Sequence, residues 1–170
     1  GVMNVRVAPS DAIDTAKAVT NDTGRGVRNY DWAFNGSHMY YMQDRGGDEN
    51  WKVISVDLDS GREIDLTPEE EITGPDGKPI MLPGGKKLRP AAQLLGMSDR
   101  HPDEILIGLN SRDPQLHDVF RVNVRTGGRT LVAVGTLQPN SQVLDNGTYG
   151  ILQLTLGQGS YAWAFVPVAG

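Results

Sequence analysis

The chain has 170 residues, which suits one hydrophobic core and disfavours a multidomain enzyme. Its 21 acidic and 16 basic residues give a net charge of −5, so it offers no positive surface for a phosphate backbone, and nucleic acid is disfavoured as a partner. The absence of cysteine excludes disulfide scaffolds, thiolate metal sites and cysteine nucleophiles. The 21 Gly and 10 Pro residues predict many turns, and therefore a β-rich chain.

Nothing in the sequence settles where the protein resides. It has no run of about 18 apolar residues, so we expect no membrane span. The first residues lack the basic and apolar segments of a signal peptide, so we expect none in this chain. Three glycosylation sequons, at Asn21, Asn35 and Asn146, are too common by chance to decide for secretion. The compartment stays open: cytoplasmic or, after removal of a leader, periplasmic or extracellular.

The N-terminal half of the chain predicts a series of short strands. Two strands at Asn4–Ala8 and Lys17–Thr20 indicate the last half of a blade, over residues 4–20. A complete four-stranded meander follows over residues 27–67, because alternating segments are separated by the turn signals Asn35-Gly36 and Asp59-Ser60-Gly61. Its strands are predicted at Val27–Phe34, His38–Gln43, Trp51–Leu58 and Arg62–Leu66.

A second meander is predicted over residues 91–133, because part of the first meander recurs there. Val53–Gly61 lines up with Val119–Gly127, and the offset from position 53 to position 119 is 66 residues. Such repeats of a four-stranded unit are typical of β-propeller blades, although the usual period is about 40 to 50 residues. The extra length is explained by residues 69–90, which are rich in Gly and Pro and predict an inserted surface loop.

The C-terminal tail, residues 134–170, lacks the turn signature of the repeat. Two alternating segments, Tyr149–Leu156 and Tyr161–Val168, predict a β-hairpin. The predicted fold class is therefore all-β: incomplete propeller-like blades, built as antiparallel four-stranded meanders, with a C-terminal β-hairpin.

Several motifs over residues 4–133 occur in the order found in a known family. The region resembles the N-terminal propeller of the prolyl oligopeptidase family of serine peptidases, in particular its acylaminoacyl-peptidase and dipeptidyl-aminopeptidase-like branches. The segments that carry the resemblance are Thr20–Arg28, Gln43-Asp44, Gly47–Trp51, Asp65–Pro68, Pro102–Asn110 and Arg112–Val122.

The resemblance implies a non-catalytic part. In that family the propeller caps the active site and restricts entry to short peptides, while a separate α/β-hydrolase domain carries out hydrolysis. That chemistry needs a Gly-x-Ser-x-Gly elbow, and Ser37, Ser98 and Ser160 all lack this surrounding. We therefore expect no catalytic residue and no enzyme activity from this chain on its own.

A second resemblance begins near residue 127. Segments of the tail are similar to the C-terminal strands of secreted calcineurin-like metallophosphatases, namely Gly127–Leu131, Pro139–Ser141, Tyr149–Leu156 and Ser160–Val168. A two-metal phosphatase centre needs clustered Asp, Asn and His ligands, whereas residues 127–170 contain Asp145 and no histidine. Phosphatase activity is therefore not expected, and the change of resemblance indicates a chimeric or recombined chain.

Five groups of residues invite a binding or metal site, and each has a simpler interpretation. The loop Asp44, Asp48, Glu49 and Asn50 offers oxygen ligands, but its spacing does not match a calcium loop. The histidines lie on different strands and loops, without a spacing that places two on one face. They are His38, His101 and His117. We expect no metal site and no cofactor.

Dipeptidyl aminopeptidases bind the free amino terminus of a substrate through paired glutamates, and the run Glu69-Glu70-Glu71 is a candidate for such a pair. Its surroundings differ, because Thr67-Pro68 precedes it, so a solvated acidic loop is favoured. Aromatic residues suggest a carbohydrate platform, but strand aromatics more often pack across strands or between blades. They are Tyr30, Trp32, Phe34, Tyr40 and Tyr41. The glycine-rich segments Gly24-Arg25-Gly26 and Gly84–Lys87 lack phosphate-loop spacing, so nucleotide binding is not expected.

Three functions remain open on this evidence. The first is a propeller fragment that ancestrally gates substrate access and now has a structural or self-assembling role, as a homo-oligomer or through edge-strand pairing. The second is a secreted or envelope binding module for a peptide, glycan or protein, which uses residues 69–90 and the strand aromatics. The third is the non-catalytic part of a split peptidase.

Overall fold

The computed structural model describes residues 1–136 with their side chains, and the strands at residues 150–157 and 160–167 by their backbone. The chain divides into two compact units, Gly1–Thr136 and Leu137–Gly170, which are described separately. The tail motif Pro139–Ser141 and the sequon at Asn146 lie outside the described residues.

The N-terminal segment forms a two-stranded antiparallel sheet. Strand β1 (Arg6–Val7) pairs with β2 (Lys17–Ala18), and a short 3-10 turn lies between them at Ile13–Thr15. The hydroxyl of Thr20 fixes the two ends of this segment, because it accepts the backbone N–H of Val5 and donates to the side-chain oxygen of Asn4, both at 2.9 Å.

Each of the two main sheets is an antiparallel meander in chain order. Sheet 1 contains β3 (Asn29–Trp32), β4 (His38–Gln43), β5 (Lys52–Asp57) and β6 (Glu63–Asp65). Sheet 2 contains β7 (Ala92–Met97), β8 (Glu104–Asp113), β9 (Leu116–Asn123) and β10 (Arg129–Ala133). The first strand of each sheet, β3 or β7, and the last, β6 or β10, are its edges.

The 66-residue repeat appears as the same turn at the end of β5 and β9. The carboxylate of Asp57 accepts the backbone N–H groups two and three residues further on, at 3.0 and 2.9 Å. The amide oxygen of Asn123 accepts the equivalent two N–H groups at 3.0 and 3.1 Å. Gly61 and Gly127 complete the two turns with φ values of +71° and +72°, a conformation that favours glycine.

Sheet 1 is covered on both faces. One face packs against sheet 2 in a shared core of buried residues, which are Ala33, Tyr40, Val53, Leu66, Ala92, Ile105, Ile107, Leu109, Val122 and Val124. The opposite face packs under the N-terminal segment in a second core, formed by Val5, Val27, Met39, Tyr41 and Val56. Alternate residues of a strand point to opposite faces, so the neighbours Tyr40 and Tyr41 belong to different cores.

The insertion between the sheets, residues 69–90, is anchored by backbone hydrogen bonds. Ile72 N–H donates to Leu88, Leu88 N–H donates to Ile80, and Ile80 N–H donates back to Ile72, at 2.8 to 2.9 Å. The side chain of Ile72 is fully buried. The two ends of the insertion are therefore hydrogen-bonded neighbours.

The second unit contains a β-hairpin in which β11 (Gly150–Gly157) pairs antiparallel with β12 (Ser160–Pro167). Apart from the 3-10 turn, the regular elements of the described residues are all strands. The predicted all-β fold class is confirmed. The four-stranded antiparallel sheets are consistent with propeller-like blades, and the described residues do not form a closed ring.

Candidate functional site

A concave groove lies between the first strands of the two sheets, beside exposed strand edges. It has a volume of about 440 Å³ and is lined by Arg28, Asn29, Tyr30 and Asp31 on one side and by Leu94, Leu95, Gly96 and Met97 on the other. We call it the inter-sheet groove. Edge strands present unpaired backbone N–H and C=O groups, so its walls can pair with an extended peptide.

Tyr40 lies in this groove and joins the two sheets. Its hydroxyl donates to the sulfur of Met97 at 3.3 Å. Burial, with a smaller effect from the charge of Asp31, raises the pKa of Tyr40 to about 12. The phenol therefore stays neutral at physiological pH and acts as a hydrogen-bond donor rather than as a base.

The predicted aromatic group is divided by the structure. Tyr40 and Tyr41 are buried, one in each core, whereas Tyr30, Trp32 and Phe34 are about half exposed. Tyr30 pairs with Tyr41, and Trp32 pairs with Met39 across β3 and β4. Tyr30 and Trp32 therefore extend the face of sheet 1 that the N-terminal segment covers, out to the exposed edge strand β3.

The acidic loop uses its carboxylates within the protein. Asp44 has a buried side chain, pairs with Arg25 at 3.1 Å and accepts the backbone N–H of Glu49. Asp48 accepts the backbone N–H groups of Arg45 and Asn50. Hydrogen bonding to the Asn50 side chain and backbone outweighs burial and lowers the pKa of Asp48. Within the described residues no group of three or more acidic or histidine side chains could hold a metal ion.

The three consecutive glutamates each contact a different cation. Glu70 pairs with Arg45 at 2.9 Å and with Lys52 at 2.8 Å. Glu69 pairs with Arg129 of β10, and Glu71 pairs with Lys87 of the insertion. The run therefore ties the insertion to both sheets, and its carboxylates do not converge on one point.

The histidines His101 and His117 have different surroundings. His101 is exposed and lies 3.6 Å from Glu104. His117 is partly buried, and burial lowers its pKa below the usual value. The Nε2 atom of His117 has no hydrogen-bond partner among the described residues.

Sequence reasoning missed a cluster around the buried His38. Its Nδ1 lies 3.0 Å from the hydroxyl of Ser37, and its Nε2 lies 3.7 Å from the carboxylate of Asp57. These residue types resemble a hydrolase triad, but Asp57 already accepts two backbone N–H groups, which lower its pKa. The repeat places Asp103, Glu104 and Asn123 at the same three positions of sheet 2. The second sheet forms the equivalent turn without serine or histidine, so the turn itself does not require this cluster.

The glycine-rich segments are turns. Gly26 has a φ of +85°, and a Cβ there would lie 2.9 Å from the backbone nitrogen of Met3, so only glycine fits. Asp22 accepts the backbone N–H of Gly26, which lowers the pKa of its carboxyl. Gly84 and Gly85 form the tip of the insertion in open space.

The comparisons with known proteins point to a class of hydrolase. The 38% identity to a dipeptidyl aminopeptidase supports a peptidase-like region of the prolyl oligopeptidase type in this chain. One relative is the dipeptidyl aminopeptidase BIII of Pseudoxanthomonas mexicana, with 38% identity over 145 residues. The match covers 85% of this chain, and the chain spans 18% of the length of that relative. No family model matches the chain, and within the described residues no helix is long and apolar enough to cross a membrane.

Proposed function

We propose that the chain is a non-catalytic part of a peptidase-like protein, in which sheets 1 and 2 act as propeller-like blades that restrict access to a catalytic domain. The observation that carries the proposal is the 66-residue repeat, with equivalent turns at Asp57 and Asn123, in a region similar to a dipeptidyl aminopeptidase. The missing serine elbow supports a non-catalytic role.

The first experiment tests the isolated chain for peptidase chemistry. Purified protein is treated with a fluorophosphonate probe, which labels only activated serines, and with fluorogenic dipeptidyl substrates. We expect neither labelling nor hydrolysis. The control is Ser37→Ala, because Ser37 contacts a histidine. Labelling of the parent protein that disappears in this variant would contradict the proposal.

The second experiment tests gating in a hybrid. The segment of the Pseudoxanthomonas enzyme that matches this chain is replaced by the corresponding residues of this chain. We expect the hybrid to hydrolyse short dipeptidyl substrates and to cleave long peptides more slowly than short ones. A folded hybrid that cleaves long peptides as readily as short ones would argue against gating.

The inter-sheet groove favours a second function, binding of an extended peptide. Tyr30 is half exposed on edge strand β3, and Arg28 and Asp31 offer charges of both signs beside it. Isothermal titration with short peptides tests this function. Tyr30→Ala should weaken binding, whereas replacing residues 74–87 by a short linker should not. Loss of binding only with the second change would assign the ligand to the insertion instead.

A further inference from the structure

The inter-sheet groove is lined by equivalent segments of the 66-residue repeat. Residues 28–31 form its wall on sheet 1, and residues 94–97, which lie 66 positions later, form its wall on sheet 2. The first wall contains an arginine, an asparagine, a tyrosine and an aspartate, so we call it the polar wall. The second contains two leucines, a glycine and a methionine, so we call it the apolar wall. The groove therefore offers charge on one side and apolar surface on the other.

Asp31 supplies the negative charge of the polar wall. It lies opposite Tyr40 in the pairing of β3 with β4, so both residues are on the face of sheet 1 that packs on sheet 2. The backbone N–H of Trp32 donates to Asp31 Oδ1 at 2.8 Å. Within the described part of the chain, Asp31 Oδ2 makes no hydrogen bond or ion pair, so it can accept from a ligand.

Tyr40 provides a second acceptor in the same groove. Its hydroxyl hydrogen is donated to the sulfur of Met97 at 3.3 Å, so its oxygen keeps lone pairs that can accept a hydrogen bond. Tyr40 and Asp31 both line the groove. One charged oxygen and one neutral oxygen are thus available to a cationic donor.

We propose that the inter-sheet groove selects extended peptides that carry a basic side chain, with the cationic group held by Asp31 and Tyr40. Lysine and arginine side chains bury their methylene stems along apolar surface and keep their charged ends at polar groups. The apolar wall suits the stem, and the polar wall suits the charge. The proposal rests on the second function given above, peptide binding in this groove, and names the kind of peptide.

The positive charge of the polar wall lies at the other end of the segment. Arg28 is three positions before Asp31, which is about 10 Å along an extended chain. It also lines a smaller cavity whose residues include Asp44. Binding of an acidic side chain by Arg28 is the competing arrangement, and the test includes it.

The test compares three peptides by isothermal titration against the full 170-residue chain. Each peptide is acetylated and amidated, with alanine at both ends, valine next to each alanine, and lysine, norleucine or glutamate in the centre. The central side chain therefore carries the charge that varies. We expect the lysine peptide to bind about two- to fivefold more tightly than the norleucine peptide, the range for an exposed ion pair.

Two variants that lose the same charge separate the groove from the rest of the surface. Asp31→Asn keeps an oxygen for the N–H of Trp32 but should abolish the lysine advantage. Unchanged affinity for the norleucine peptide will show that this variant is folded. Asp59→Asn is the matched control, because Asp59 is exposed in the β5–β6 turn and does not line the groove. This variant should keep the lysine advantage.

Each outcome decides the proposal. A lysine advantage that is lost in Asp31→Asn and kept in Asp59→Asn supports it. Equal affinity for the three peptides, or tighter binding of the glutamate peptide, overturns it but leaves peptide binding intact. Binding of none of the peptides overturns the second function as well. An advantage that both variants keep or both lose also overturns the proposal.

A second measurement on the unaltered chain applies if Asp31→Asn does not fold. Salt screens exposed charges, so the lysine advantage should shrink between about 0.05 M and about 0.5 M sodium chloride. A lysine advantage that does not change with salt overturns the proposal.

Discussion

Asp103 links the two main sheets through its side chain. Its carboxylate accepts the side-chain amide of Asn35 at 2.8 Å and the guanidinium of Arg125 at 2.7 Å. These two contacts, the amide first, lower the pKa of Asp103. Asn35 lies in the β3–β4 turn and Asp103 in the β7–β8 turn, so one carboxylate fixes the ends of both sheets.

This arrangement predicts an acid-dependent contribution to stability. A carboxyl whose pKa is lowered by folding stabilises the protein above its unfolded pKa of about 3.9, and the contribution is lost as pH falls through the folded value. Asp103→Asn should therefore lower the free energy of unfolding at neutral pH, by less than about 1 kcal/mol because the site is partly exposed. Urea unfolding at several pH values should show this difference vanishing below about pH 4. A difference that is constant with pH would contradict it.

A substitution at Ser55 is not expected to lower the free energy of unfolding, in contrast to Asp103→Asn. It lies in the middle of β5, almost fully buried, and its hydroxyl has no hydrogen-bond partner among the described residues. Burying an unpaired hydroxyl costs about 1 to 3 kcal/mol. Ser55→Ala should therefore leave stability unchanged or raise it by up to about 1 kcal/mol. A clear loss of stability in denaturant unfolding would show that the hydroxyl is paired.

Side-chain clusters were the least predictable part of this molecule. The sequence favoured a solvated turn for the acidic loop and a solvated loop for the glutamate run, but it did not show which cations their carboxylates contact. Arg129 reaches Glu69 from a strand 60 positions away, and such pairs depend on how the two sheets stack. The contact between Ser37 and His38 was also missed, because the rotamer of a buried histidine is set by its surroundings.

Strands were predicted well where turn residues bound short runs of aromatic and aliphatic residues. The last three strands of sheet 1 lie within one residue of their predicted bounds, and the first is two residues shorter at each end. The hairpin of β8 and β9 extends to a turn at Pro114-Gln115 through a polar end that has no alternating pattern. The hydrogen bonds among Ile72, Ile80 and Leu88 left no periodic signal in the sequence.

The equivalent turns of the two sheets should respond differently to the same substitution. Ala at Gly61 or Gly127 must adopt a positive φ, which costs roughly 1 to 2 kcal/mol. A Cβ at Gly61 would meet open space, whereas one at Gly127 would lie 3.2 Å from a methyl carbon of Ile64. Gly127→Ala should therefore destabilise the protein more than Gly61→Ala in thermal unfolding. Equal effects would mean that Ile64 moves aside without cost.

Leu66 and Val132 form a second matched pair. They occupy the same position of the repeat, but Leu66 is buried between the sheets and Val132 is 56% exposed. Leu66→Ala should cost about 2 to 5 kcal/mol, the usual range for a buried leucine. Val132→Ala should change the free energy of unfolding by less than about 0.5 kcal/mol, as for other surface sites. Comparable losses in urea unfolding at low protein concentration would contradict the assigned burial.

For the molecule as a whole, both hydrophobic cores lie within the first unit, Gly1–Thr136. A chain that ends at Thr136 should therefore fold and unfold cooperatively. Its midpoint in calorimetry should lie within about 4 °C of the full chain, the shift expected from about 1 kcal/mol in a domain of this size. A broad or absent transition would show that the cores need the tail. The proposed chimeric origin of the tail stays a prediction.

The overall class was predictable because repeats reveal architecture more directly than single motifs do. The 66-residue offset and the turn glycines indicated repeated sheets before any contact was known, and the structure consists of such sheets. The sequence could not show which face of each sheet packs on the other sheet. Residues alternate between the two faces in the same way whether a face is covered or open.

The equivalent turns at Asp57 and Asn123 also bear on how such genes change length. Unequal crossing-over between the two turn-encoding stretches would add or delete one whole sheet in frame. The strands on either side of the junction would keep their inward and outward residues, since the two turns have the same geometry. Loss of a unit would therefore leave one four-stranded meander, in which β10 follows β5 in the place of β6.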